Sequence, residues 1–106
     1  MARAERGEVW MVELDLAAKV RPAVVASVAF LDKERALYAI VPHTTAVWGT
    51  RFEVRVTVRW LEDGAFDVQG VRPVPQRVLM RRLGVLSTAQ MMEIEAALAR
   101  WFGMQA

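Results

Sequence analysis

The chain has 106 residues, no cysteine, one histidine and a net charge of +2, and 55% of its residues are hydrophobic. The length fits one domain, residues 1–106, with a core large enough to fold without a disulfide or metal. The lack of cysteine excludes disulfides, thiolate zinc sites and thiol nucleophiles, and one histidine excludes a histidine acid–base pair. No segment has the roughly 20 apolar residues that cross a bilayer, and the N-terminus lacks a signal-peptide pattern. We therefore expect a cytoplasmic protein.

Twelve of the fourteen basic residues are arginines. Arginine presents a planar fork of donors that matches phosphate oxygens. Residues 51–82 carry seven arginines against four acidic residues, which is compatible with a nucleic-acid surface. A genome that favours arginine codons gives the same composition, so charge alone does not decide. The high apolar fraction suggests that some apolar surface lies in a subunit interface.

The pattern predicts strands followed by one helix. In the first half, the predicted strands are residues 8–14, the doubly buried run 23–28, and 36–41, which stops at Pro42; residues 43–50 are expected to form a loop. In the second half, residues 53–60 alternate as a half-buried strand, a tight turn at 62–64 leads to a hairpin partner at 65–69, and 71–74 form a short edge strand. Residues 76–82 fit either a helical turn or a last strand.

The predicted helix begins after Ser87, which forms a capping-box pattern with Gln90, and ends before Gly103. Its apolar stripe consists of Met91, Ile94, Leu98 and Trp101. Strands in succession with no helix between them favour a mainly β (α+β) fold, an antiparallel sheet curled into a small barrel.

Two short constellations carry polar groups suited to an anion. Arg21 and Pro22 precede an apolar strand, where a guanidinium can face a phosphate; an ordinary proline turn has the same sequence. Pro42-His43-Thr44-Thr45 follows the third strand, and its hydroxyls can donate to phosphate oxygens; a threonine-rich turn is the alternative. The sequence has no metal-ligand cluster, phosphate-binding loop or serine-nucleophile motif. We therefore expect no metal and no cofactor.

The order of these segments is more specific than any one of them. It runs Arg6-Gly7-Glu8-Val9-Trp10, Arg21-Pro22-Ala23-Val24-Val25, Val41-Pro42-His43-Thr44-Thr45, Arg51-Phe52-Glu53-Val54 and Arg81-Arg82-Leu83-Gly84. From Gly7 to about Trp101 the chain resembles the MazF/PemK family of toxin endoribonucleases, the mRNA interferases of bacterial toxin–antitoxin pairs. The resemblance implies a small SH3-like antiparallel β-barrel with a C-terminal helix, assembled as a homodimer.

The resemblance also implies metal-independent, sequence-specific cleavage of single-stranded mRNA to 2′,3′-cyclic phosphate and 5′-hydroxyl ends. A cognate MazE-like antitoxin would inhibit the protein by covering the active groove with an acidic tail. The family's essential arginine and threonine match Arg21 and Thr44, and Thr45 occupies the second threonine position. Arg21 would stabilise the charge of the pentacoordinate transition state, and Thr44 would donate a hydrogen bond to it. His43, which titrates near neutrality, is a candidate for proton transfer.

RNA contacts are predicted around this pair. Arg51, Arg55 and Arg72 are candidates for phosphate contacts, and Trp48 and Phe52 for base stacking. Trp10 and Trp60 lie on apolar strand faces and are expected in the core, while Trp101 is expected in helix packing or a dimer interface.

The chain departs from the family pattern in two places. Gln69, in the predicted RNA-binding stretch, stands where many relatives carry an aspartate that is thought to act as a base in some of them. The loop of residues 15–20 is several residues shorter than in relatives with a Gly-Ser-Glu-Gln segment. Sequence preference and antitoxin fit are therefore expected to differ.

Two other functions stay open. CcdB-type gyrase poisons share this fold, and fold does not fix function; nuclease chemistry needs Arg21 and Thr44, whereas gyrase binding does not. Gln69 keeps open a catalytically weakened relative that acts by binding RNA or antitoxin.

Overall fold

The computed structural model describes residues 3–14 and 19–104, which form seven strands and one α-helix. The strands are β1 (Glu8–Glu13), β2 (Val20–Val25), β3 (Tyr38–Thr44), β4 (Glu53–Arg55), β5 (Ala65–Asp67), β6 (Arg72–Val74) and β7 (Leu79–Val85). The helix α1 spans Thr88–Trp101, and single 3-10 turns, Val68–Gly70 and Gln76–Val78, precede β6 and β7. Most of the short loop predicted at residues 15–20 lies outside the described residues.

All strand pairs are antiparallel, in the order β4-β5-β3-β2-β1-β7, with β6 also pairing with β3. One edge of β3 bonds to β2; the other bonds to β6 near Tyr38 and to β5 at His43 and Thr44. Within the described ranges β4 and β7 do not pair with each other, so the barrel is open. The predicted antiparallel, mainly β fold with a C-terminal helix is confirmed.

Two apolar clusters lie on opposite faces of the sheet. Val24 of β2 belongs to the cluster beneath α1, which includes Met91 and Ile94, whereas its neighbours Ala23 and Val25 belong to the other cluster. Since successive strand residues point to opposite faces, β2 is buried on both, as predicted. It begins three residues earlier than predicted and ends at Val25.

The helix begins and ends where the sequence predicts. Ser87 Oγ accepts the N–H of Gln90 over 3.1 Å, and Gln90 Oε1 accepts the N–H of Ser87 over 2.8 Å, which completes the capping box. Gly103 takes the left-handed conformation, with φ of 71°. In the part of the chain that the structure describes, no helix is long and apolar enough to cross a membrane.

The third strand extends further than predicted. It runs through Pro42 and His43 to Thr44 instead of stopping at Pro42. Pro42 lies between the residues that pair with β6 and those that pair with β5, so no residue stands opposite it on that edge. Such a gap tolerates the missing proline N–H. His43 and Thr44 therefore belong to a strand and not to a loop.

The predicted strand over residues 53–60 is the clearest error. Only Glu53–Arg55 pairs with β5, and residues 56–64 form a long connection in place of a tight turn at 62–64. Val56 is buried without a ladder partner, but Trp60 is 36% exposed and not a core residue. The predicted partner strand also ends early, because Asp67 Oδ1 accepts the N–H of Gln69 over 3.0 Å and caps a 3-10 turn there.

Candidate active site

A cleft of about 480 Å³ opens at the end of β3. Its walls come from β2, the end of β3, the connection that follows β3, the start of β4, and the segment between β5 and β6. Six residues singled out from the sequence line it: Arg21, His43, Thr44, Trp48, Gln69 and Arg72. An adjoining recess of about 180 Å³, which shares Arg21 and His43 with the cleft, is lined by Thr45. The structure thus brings together both predicted catalytic residues and most of their predicted neighbours.

Arg21 reaches the cleft from β2, where it pairs with Val12 of β1. Its side chain is exposed at the mouth of the cleft, while the strand becomes buried two residues later at Ala23. Among the described residues, no carboxylate lies within ion-pair distance of its guanidinium. Arg21 therefore offers its charge and donors to an anion in the cleft.

Thr44 is the last residue of β3 and faces Ala65 of β5. Its Oγ1 accepts the N–H of Ala46 over 3.0 Å. A hydroxyl has one hydrogen to donate, and this bond occupies a lone pair rather than that hydrogen. The hydroxyl of Thr44 is thereby oriented with its hydrogen available to a ligand.

His43 forms part of the cleft floor and is only 3% exposed. Its ring packs edge-on against Phe66, with centroids 5.1 Å apart, and its Nε2 is buried without a hydrogen-bond partner in the described structure. A Cβ on Gly64 would clash with the backbone carbonyl oxygen of Thr44 and would also lie 2.8 Å from His43 Cε1, which explains the glycine there. Burial lowers the pKa of His43 below its ordinary value, although Glu62 and Asp63 partly offset this. The imidazole is therefore neutral at pH 7.

The cleft also contains two carboxylates that no sequence motif indicated. Glu53 and Asp67 stand directly opposite each other in the β4–β5 ladder. Like charges opposite each other destabilise a sheet, but each of these accepts backbone N–H groups, Glu53 from Trp48 and Thr50 and Asp67 from Gln69. Position 69 thus lacks an acid, yet the cleft contains one two residues earlier. Asp67 is a residue type that often caps the start of a helical turn. The prediction of one continuous strand over residues 65–69 left no place for such a cap.

Three residues predicted to bind RNA lie outside the cleft. Arg51 and Arg55 line a second groove of about 420 Å³ between β4 and α1, together with Arg100. Phe52 is half-buried: the edge-on ring of Trp101 lies 5.1 Å from it, and the Arg51 guanidinium covers its ring at 4.6 Å. Trp101 itself is 42% exposed. Glu53 lines both the cleft and this groove, so the two are adjacent.

The motif segments at residues 6–10 and 81–84 contact each other away from the cleft. The Glu8 carboxylate accepts the N–H of Glu5 over 2.9 Å and Trp10 Nε1 over 3.0 Å, and it pairs with Arg82 at 3.3 Å. Burial alone would raise the pKa of Glu8, but these hydrogen bonds hold it below its usual range. Trp10, which was predicted to lie in the core, is half-buried and packs against the apolar cluster that contains Ala23 and Val25. This unit joins β1 to β7 and supports the sheet.

No group of three or more histidine, aspartate or glutamate side chains that could hold a metal ion occurs within residues 3–14 and 19–104.

Several solved structures share the fold of this chain. An endoribonuclease from a mycobacterial species, solved with its cognate antitoxin, is 22% identical with a TM-score of 0.84, over 98% of this chain and 99% of that one. A MazE–MazF complex from Deinococcus radiodurans is 21% identical with a TM-score of 0.82, over 99% and 100%. A MazF toxin of Mycobacterium tuberculosis is 23% identical with a TM-score of 0.80, over 93% and 99%. At these identities the likeness establishes the fold.

The sequence itself supplies the family. Residues 5–102 match the model of the PemK-like, MazF-like toxins of type II toxin–antitoxin systems, a span that contains every residue of the cleft described above. The chain therefore belongs to the PemK/MazF family of toxins.

Proposed function

We propose that the protein is an endoribonuclease that cleaves single-stranded mRNA at a short sequence without a metal ion. One observation carries the proposal: Arg21 and Thr44, from different strands, line one cleft. Among the described residues, no carboxylate pairs with Arg21, and Thr44 Oγ1 accepts a hydrogen bond rather than donating one. Its volume of about 480 Å³ lies in the range of small-molecule pockets. The family's known members supply the class of reaction.

The reaction needs stabilisation of charge more than any other contribution. The ribose 2′-oxygen bonds to the adjacent phosphorus and loses its proton, while the bond from phosphorus to the 5′-oxygen breaks and that oxygen takes up a proton. The pentacoordinate transition state concentrates negative charge on the non-bridging oxygens. Donors fixed in advance at that position stabilise it more than the ground state. The proposal gives this role to the Arg21 guanidinium and the Thr44 hydroxyl.

Asp67 is assigned acceptance of the 2′-hydroxyl proton. Both carboxylate oxygens of Glu53 already accept backbone N–H groups, and Nε2 of His43 is enclosed. Asp67 lines the same cleft and uses only Oδ1 for the N–H of Gln69 among the described contacts. Asp67 thus takes the proton-transfer role for which His43 was the candidate. We give His43 only a supporting role next to Thr44.

In this proposal the RNA contacts both the cleft and the second groove. In the cleft, Arg72 and Gln69 lie close to the reacting phosphate, Thr45 lines the recess beside it, and Trp48 stacks on a base. Beyond Glu53, Arg51 and Arg55 contact the phosphates further along the strand. Because Phe52 is packed against Trp101 and Arg51, the proposal gives it the task of orienting Arg51 instead of stacking on a base.

The partners follow from the family. The similar mycobacterial and Deinococcus structures contain an antitoxin, and we extend this to a MazE-like antitoxin whose acidic tail covers the basic cleft. A homodimer is supported by exposed apolar side chains at the end of α1, namely Trp101, Phe102 and Met104. Action on mRNA implies a cytoplasmic location.

Gln69 favours a second candidate, a relative that binds RNA or antitoxin without cleaving.

The test is cleavage of long single-stranded RNA by the purified protein in EDTA, with the product ends mapped chemically. The proposal predicts 2′,3′-cyclic phosphate and 5′-hydroxyl ends at one short motif, absent when Arg21→Ala replaces the native protein. RNA that stays intact while bound to the protein would support the non-cleaving relative. A protein that does not bind RNA at all would support the alternative function of a gyrase-directed toxin.

A further inference from the structure

One carboxylate holds the connection after β3 against β4. Glu53 Oε2 accepts the backbone N–H of Trp48 over 2.9 Å, and Oε1 accepts that of Thr50 over 2.6 Å. The N–H of Glu53 in turn donates to the Thr50 carbonyl over 3.3 Å. Because β4 is paired with β5, these three bonds fasten the connection to the sheet at the edge of the cleft.

The residue held in this way is Trp48, whose side chain is 86% exposed although it lines the cleft. Such a side chain gains little from the core, so packing contributes little to fixing its place. The hydrogen bonds from the backbone N–H groups of Trp48 and Thr50 to the Glu53 carboxylate therefore do most to fix the position of Trp48. An exposed aromatic ring beside a phosphate site has the geometry for base stacking, since every base presents a π-face.

We propose that Glu53 is a positioning residue for RNA, which holds Trp48 at the rim of the cleft as a stacking platform for a base beside the cleaved phosphodiester. This inference rests on the proposed function. Each of the two N–H groups has its own carboxylate oxygen here, and glutamine would place a donor NH2 group where one of those oxygens accepts. The N–H groups of Trp48 and Thr50 also hold the pKa of Glu53 below its usual range, so the side chain is charged at neutral pH.

Simple electrostatics predicts the opposite effect for this residue. A negative charge beside bound phosphates repels RNA, so its removal should tighten RNA binding. If Glu53 positions Trp48, its replacement by glutamine weakens RNA binding instead. The direction of the change therefore separates the two roles.

The experiment measures the affinity of a fluorescein-labelled, 2′-O-methylated single-stranded RNA, which cannot undergo 2′-hydroxyl attack. Glu53→Gln, Trp48→Ala and the double variant are compared with Glu34→Gln. The control is matched, because Glu34 Oε1 accepts the N–H of Leu31 over 2.7 Å in a turn away from the cleft. We expect Glu53→Gln to bind roughly 5- to 150-fold more weakly, the range given by base–aromatic stacking. The double variant should bind no more weakly than Trp48→Ala, and Glu34→Gln should bind normally.

Two further readouts exclude a merely structural effect. With cleavable RNA, Glu53→Gln should raise KM and leave kcat unchanged. Without any RNA, hydrogen exchange at the Trp48 and Thr50 amides should be faster in Glu53→Gln, because their acceptor is weakened. Tighter or unchanged RNA binding, additive losses in the double variant, or unchanged exchange would overturn the inference.

The inference and the proposed function fail separately. A native protein that binds RNA without cleaving it contradicts the endoribonuclease, while binding and exchange still decide the role of Glu53. A native protein that binds no RNA overturns both.

Discussion

The backbone N–H of Ala46 donates to Oγ1 of Thr44 over 3.0 Å, at the point where β3 ends and the rim of the cleft begins. This bond fixes the oxygen of the hydroxyl and leaves its hydrogen to be donated elsewhere. Among the described contacts, the Thr44 hydroxyl therefore keeps its hydrogen for a ligand, as the proposed function requires. Donors that need no reorganisation are the ones that stabilise a transition state most effectively.

The first prediction concerns the hydroxyl of Thr44. Thr44→Ser keeps the oxygen and should retain most of the activity. Thr44→Val keeps the shape but removes the donor, and should lower kcat by about 100- to 1000-fold, as loss of one transition-state donor does. Rates measured on the same RNA check this, with thermal unfolding as the control for folding. Equal activities for the two variants would mean that the hydroxyl takes no part.

The second prediction concerns Asp67. Asp67→Asn can still accept the N–H of Gln69 through its amide oxygen, so the 3-10 turn should persist. It cannot take up a proton at neutral pH, and kcat should fall by about 100-fold or more, the contribution of a general base. The affinity for uncleavable RNA should stay at or above the native value. A variant with native kcat would remove Asp67 from the mechanism.

The third prediction follows from the lowered pKa of His43. As pH falls below about 6.5, the unfolded chain takes up the histidine proton before the folded protein does, so the free energy of unfolding should decrease. Above that pH both states are neutral and this residue causes no pH dependence. The chain has a single histidine, and the carboxylates of Glu8 and Glu53, whose pKa values are also lowered, affect stability only at more acidic pH. Urea unfolding between about pH 7 and pH 6 therefore tests the contribution of His43. His43→Phe should flatten the profile; a native protein that gains stability on acidification would contradict the burial of a neutral imidazole.

The fourth prediction separates the two grooves. Arg51→Ala should raise KM, leave kcat unchanged and reduce the salt dependence of RNA binding by about 0.7 in the log–log slope, the value for one phosphate on a single strand. Arg72→Ala should reduce the slope similarly and also lower kcat, because Arg72 lines the cleft with Arg21 and Thr44. Arg35, exposed in a turn away from both grooves, provides the control variant. An unchanged slope for Arg51→Ala would remove the second groove from the RNA path.

The sequence predicted those parts of the fold that local patterns determine. The helix was predictable because Ser87 and Gln90 form a cap that depends on neighbours in sequence. The doubly buried strand around Val24 was predictable from its continuous apolar run. The failures lie where tertiary pairing decides: β4 ends at Arg55 because β5 offers only three residues to pair with, although the alternation continues to Trp60.

The site was predictable to a similar extent. The resemblance to the family predicted roles for Arg21 and Thr44, and in the structure both residues line one cleft. Glu53 and Asp67 were missed because their place in the cleft depends on the β4–β5 register, which no local pattern specifies. The burial of His43 also escaped prediction, since it depends on Gly64, distant in sequence, allowing the connection after β4 to cover the ring.

The central claim is that the cleft promotes attack of a ribose 2′-hydroxyl on the phosphate held by Arg21 and Thr44. The most direct measurement uses an RNA that the protein cleaves at a mapped position, compared with the same RNA carrying a single 2′-deoxy nucleotide at that position. The account predicts that the substituted RNA binds with native affinity but is not cut there, in EDTA as in magnesium. Cleavage at the 2′-deoxy position would contradict it.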